Sequence, residues 1–137
     1  MKMLLLIIAL IAAACTPVAT APDAQPVTTG SVAGVRFAVE KVSTGTIRLT
    51  LDNGAPHAIG YNLCSSELQS RSGAEWRPVP SEEMCTMQLL TLNPGHDATF
   101  EKRMPAGLPA GDYRYVTRVE SPLGTPATRL ATEPFQH

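Results

Sequence analysis

Two stretches of strict alternation constrain this chain more than anything else in it. In Val35-Arg36-Phe37-Ala38-Val39-Glu40 the apolar side chains Val35, Phe37 and Val39 fall on one side and Arg36 and Glu40 on the other. Thr46-Ile47-Arg48-Leu49-Thr50-Leu51 repeats the pattern. A period of two is that of a strand with one buried face. Asp52-Asn53-Gly54 closes the second strand, because Asn-Gly tolerates positive φ, and Pro56 keeps a central strand from resuming at once.

Further strands are expected over His57 to Leu63, Leu68 to Arg71, Met87 to Leu92, Ala98 to Arg103, Arg114 to Glu120 and Ala127 to Phe135. The third strand places Ile59, Tyr61 and Leu63 on one face and Cys64 on the other. Glu75 to Val79 reads as an edge strand or bulge, since Pro78 and Pro80 withhold ladder donors. Ser81-Glu82-Glu83-Met84 has a capping serine followed by acids, which predicts one helical turn. The 10 glycines and 12 prolines fall between these short runs, with turns at Asn93-Pro94-Gly95 and Ser121-Pro122-Leu123-Gly124. Seven to nine short strands without a long helix define an all-β chain, and two antiparallel sheets packed as a sandwich bury the alternating faces most economically. A small open barrel is the alternative.

The N-terminus has a separate task. Lys2 precedes an uninterrupted apolar run, Met3 to Ala14, that is too short for a membrane-spanning helix and has the form of a secretory signal. Ile11-Ala12-Ala13-Ala14-Cys15 resembles a bacterial lipobox, departing from it in having Ala12 where leucine is usual. That resemblance implies cleavage after residue 14, acylation of Cys15 and a membrane anchor made of lipid, palmitate included, instead of a helix. Thr16 after the cysteine implies delivery to the outer membrane, facing the periplasm, in a cell that has one. Residues 15 to 30 form the lipidated cysteine and a linker with three prolines, one charge and no aromatic residue. Such a composition cannot offset the entropy of ordering, so a disordered tether is expected, leaving 31 to 137 as the folded domain.

Export and lipidation together settle the cysteines. With Cys15 acylated, only Cys64 and Cys85 remain of the three, and an oxidising compartment then predicts a single disulfide between them. The bridge encloses the only tryptophan, Trp76.

Tyr61-Asn62-Leu63-Cys64, Trp76, Val79-Pro80, Cys85, Leu92-Asn93-Pro94-Gly95, Phe100, Leu108-Pro109-Ala110-Gly111-Asp112-Tyr113-Arg114 and Phe135 occur in an order that resembles bacterial immunoglobulin-like domains of envelope lipoproteins. The resemblance covers about residues 31 to 137. It implies an immunoglobulin-like sandwich, used as a binding or accessory module without catalysis, and a tyrosine corner in which Tyr113 bonds to backbone a few residues upstream. Cys64 and Cys85 are too close in sequence for the usual sheet-to-sheet pin, so their bridge is a local staple. A looser likeness to bacterial proteinase inhibitors of similar build implies, as an alternative, a constrained inhibitory loop from Arg77 to Met84.

Other chemistry finds little footing. Met84, Cys85, Met87 and His96 are soft or borderline ligands close in sequence, but they lack metal-site spacing and a disulfide removes the thiolate, so no metal or other cofactor is expected. The histidines, His57, His96 and His137, sit in no nucleophile motif, and no catalytic residues are assigned. With 11 basic against 12 acidic side chains, the basic ones scattered, no nucleic-acid partner is expected. The expected partners are the membrane, through the lipid, and an envelope protein or protease. The edge Trp76, Arg77, Pro78, Val79, Pro80 is the candidate binding surface.

Overall fold

The computed structural model describes residues 29 to 137; Cys15, the expected signal segment and the expected linker up to residue 28 lie outside them. Ten strands form two antiparallel sheets that do not close into a barrel. The smaller sheet has the order β1 (Val35–Ser43), β2 (Thr46–Asn53), β7 (His96–Arg103). The larger runs β5 (Glu75–Pro78), β4 (Glu67–Ser72), β8 (Asp112–Glu120), β3 (Ile59–Tyr61), β6 (Leu90–Leu92), with β9 (Thr128–Ala131) and β10 (Phe135–Gln136) also paired to β8. Phe37, Ile47, Leu49 and Leu51 of the smaller sheet meet Ile59, Leu68, Tyr115, Val119 and Leu130 of the larger in one core, as the two layers of a sandwich do.

The alternation read from the sequence is the burial pattern of β2, where Ile47, Leu49 and Leu51 are buried and their neighbours half-exposed. β1 is a paler version, with Phe37 buried and Val35 and Val39 half-buried at an open edge. The expected edge strand at Trp76 is indeed terminal in the larger sheet.

Several expectations are corrected. Asn53-Gly54 is not a turn with positive φ: Asn53 is the last residue of β2, and the positive φ belongs to Gly34, at 74°. Gly34 and Gly54 meet across a backbone bond, Gly54 N donating to Gly34 O at 2.7 Å, where a Cβ on either would strike the other's backbone region. Asn53 keeps to the inward phase of β2 and is only 1% exposed. Its amide donates to His57 O at 3.0 Å and to Leu92 O at 2.9 Å, while its Oδ1 accepts from Ala55 N at 3.1 Å. A side chain that joins three chain segments by satisfying buried backbone groups has reason to stay in the strand.

The third strand is shorter than expected, Ile59 to Tyr61, because Asn62 turns away and its amide donates to Thr86 O and Gln88 O at 2.7 and 2.9 Å. β6 is correspondingly limited to the three residues that pair with β3. No helical turn forms at Ser81. Its Oγ accepts from Glu83 N at 3.2 Å in the manner of a cap, yet the chain continues without regular structure from 79 to 89. The last expected strand divides into β9 and β10 around Pro134, which lacks an N–H, giving ten strands instead of seven to nine.

Candidate functional site

The loop from 79 to 89 is irregular, exposed along most of its length and held at several points. Cys85 is bonded to Cys64, as expected, with Cα atoms 5.7 Å apart. Asn62 secures the carbonyls on the far side of Cys85. Val79 N donates to Leu68 O at 2.8 Å and fixes the entry from β5.

The fourth attachment was not legible in the sequence. Along β7 the inward positions are Ala98, Phe100 and then Lys102, which faces Ile47 of β2 and is only 7% exposed. Its Nζ donates to Cys64 O at 2.6 Å and to Ser66 O at 3.0 Å, and pairs with the Glu83 carboxylate at 2.7 Å. A buried ammonium has three N–H donors, and here each finds an oxygen. The smaller sheet is thereby tied to both ends of the disulfide loop. A lysine after Ala98-Thr99-Phe100-Glu101 looks like a solvent-facing residue at a strand end, and only the phase of the alternation hinted otherwise.

Glu83 also acts on the core beneath it. Burial, and after it the negative charge of Glu83, push the Tyr115 phenol up to about 12 from its ordinary value of 10. Between those pH values the unfolded chain has lost a proton that the folded one keeps. Stability is therefore complete below about pH 10 and falls as pH rises toward 12, by roughly 2 kcal/mol from this group. Urea unfolding at pH 8 and pH 11 should show a smaller loss for Tyr115→Phe than for the unaltered chain; equal losses would clear the phenol of responsibility.

What the staple displays is apolar. Met84 and Met87 are 96% and 94% exposed on either side of half-buried Cys85. Leu89 is also exposed and, with Leu123, covers Gly60, whose missing side chain leaves room for both. The expected inhibitory segment is split: Arg77 and Pro78 belong to β5, and residues 79 to 84 to the loop.

The Trp76 edge lies beside this loop. Trp76 is half-buried on the outer face of the larger sheet, with the Arg114 guanidinium 4.5 Å from its ring centre and that of Arg71 at 5.9 Å. Arg114 Nε donates to Gln69 Oε1 at 2.9 Å, and burial lowers the Arg114 pKa without removing its charge. Arg77, Pro78 and Pro80 are exposed and Val79 half-buried, so the five edge residues form a rim, with tryptophan as its one large surface.

Ligand and catalytic geometry is sparse among the described residues. Sγ of Cys64 and Cys85 and a Glu83 oxygen lie within 4.8 Å of one another, but the sulfurs are bonded together and Glu83 faces Lys102. His57 Nε2 lies 2.8 Å from Ser121 Oγ, a pairing that sequence distance concealed. No carboxylate orients that ring among the described contacts, and the pair bridges two loops. His96 Nδ1 is 3.0 Å from the Pro94 carbonyl in its own turn.

The tyrosine corner is present: Tyr113 Oη donates to Pro109 O at 2.7 Å. No protein-family model matches the chain, and no curated protein matches it either.

Proposed function

We propose that this chain is a lipid-anchored protein of the bacterial envelope whose immunoglobulin-like sandwich is a non-catalytic binding or accessory module. The observation that carries the binding role is the display of Met84 and Met87, almost fully exposed, on a loop pinned by the disulfide, Lys102 and Asn62. Exposed methionines adapt to a partner's surface, and a loop fixed beforehand loses little entropy on binding. The Tyr113 to Pro109 bond supports the immunoglobulin-like reading of the two sheets. The lipobox-like run ending at Cys15 supports the anchor.

Crosslinking and pull-down from native envelopes tests the reading. A partner captured by the unaltered chain should be lost with Met84→Ser/Met87→Ser. Equal capture by that variant would remove the loop from the account. For the anchor, Cys15→Ser should be released from membranes, and retention of this variant without lipid by mass spectrometry would overturn it.

The inhibitor reading is favoured by one feature, the largely exposed run of residues 79 to 84, without regular structure, that leads into the disulfide at Cys85 with Met84 standing clear. On a protease, that segment would have to take the extended form of a strand-like ligand. Absence of inhibition at micromolar protein across serine, cysteine and metalloproteases would end it.

A further inference from the structure

On the outer face of the smaller sheet, arginines are set against acids. Arg36 faces Asp52, and Arg48 stands between Glu40 and Glu101, with N–O separations of 3.3, 3.8 and 2.9 Å. The larger sheet does the reverse at one position. Arg118 of β8 is directly opposite Arg129 of β9, and among the described residues neither guanidinium has an ion-pair or hydrogen-bond partner. Like charges placed opposite one another destabilise a strand pair, so this arrangement is a cost unless something neutralises it.

The two side chains line a cavity of about 320 Å³ together with Ser65, Glu67, Met87 and Val116. Met87 places the cavity against the stapled loop. The acids of this face form no ion pair with either arginine: Glu67, which lines the same cavity, accepts from Gln69 Nε2 at 2.8 Å through Oε1, Glu120 accepts from Gly124 N at 2.8 Å, and Asp112 accepts from the Gln136 amide. The guanidiniums are left open.

We propose that the cavity between Arg118 and Arg129 is a binding site for a phosphate group. A carboxylate offers two oxygens and is satisfied by one guanidinium fork, whereas a phosphate has enough oxygens and charge for two. Four residues along β8, roughly 13 Å at strand rise, Arg114 with Arg71 beside Trp76 extends the positive row. A ligand with several phosphates would find further charge there. The proposal rests on the reading of this side of the domain as a binding surface and names the chemistry bound.

Titration calorimetry of the whole chain with inorganic phosphate at low ionic strength should give a Kd of about 1 mM or below. Arg118→Gln and Arg129→Gln should each weaken it at least tenfold. In phosphate-free buffer neither variant should melt below the unaltered protein, because each relieves the like-charge pair; a lower Tm would show that these groups are already satisfied and overturn the site. Phosphate binding no tighter than chloride at equal ionic strength, or unchanged in both variants, would also overturn it. Vesicles containing phosphatidylglycerol and soluble poly(glycerol phosphate) then identify the source, each supporting the site if binding needs both arginines. Failure of all phosphate ligands, with the Met84 and Met87 crosslink intact, would remove this site and leave the binding-module reading standing.

Discussion

Replacing Lys102 by alanine should destabilise the domain by about 3 kcal/mol, a large share of what a domain of this size has. The change leaves Cys64 O and Ser66 O without their donor and removes the partner of Glu83. An unmet buried carbonyl costs about 1 to 3 kcal/mol, and loss of the buried alkyl stem adds to it. Lys102→Met separates these terms, since it keeps the stem and should cost about 2 kcal/mol. Glu83→Gln should cost under about 1 kcal/mol because that side chain is 35% exposed and the amide oxygen, or water, can take the place of the carboxylate beside the ammonium. Urea unfolding of the three variants measures all of this. A Lys102→Ala midpoint close to that of the unaltered protein would mean that water enters where the ammonium was.

How far the sequence discloses this arrangement depends on whether the deciding contact is local. β1 and β2 are legible because each residue declares its own face, and the register of a half-buried strand follows from that phase. Tyr113 is legible for a similar reason, as its partner Pro109 lies four residues upstream. Asn53 and Lys102 mislead because their partners are distant: Leu92 is 39 residues from the one, and Cys64 is 38 from the other. Either residue taken alone belongs at a turn or on the surface. The arginines show the same limit. Arg118 and Arg129 are scattered basic residues until the β8 to β9 register sets them opposite one another. The Cys64 to Cys85 pairing escapes the limit because, once the lipobox-like run reserves Cys15 for lipid, the sequence offers each of the other two cysteines only one partner.

Loss of the disulfide, in Cys64→Ala/Cys85→Ala, should also lower stability by about 3 kcal/mol, the chain-entropy expectation for cysteines 21 residues apart. Its local consequences should be larger than its global ones. Without the bridge, the loop from 79 to 89 keeps Val79 N on Leu68 O, the two carbonyls held by Asn62 and the Glu83 to Lys102 pair. Those remaining bonds sit on a segment with little burial of its own, so protease cleavage within 81 to 88 should be faster by at least tenfold while amide exchange in β2 and β8 follows global unfolding. The bridge and Lys102 also share a residue, for Lys102 donates to the carbonyl of Cys64 itself. The triple variant Cys64→Ala/Cys85→Ala/Lys102→Ala should therefore lose less than the sum of the two separate losses, by about 1 kcal/mol or more. Strict additivity in urea unfolding would show that the lysine secures Cys64 whether or not the sulfurs are joined. A shortfall would mean that staple and ammonium hold the Met84 and Met87 display as one unit, and that reduction alone is enough to loosen the surface proposed for binding.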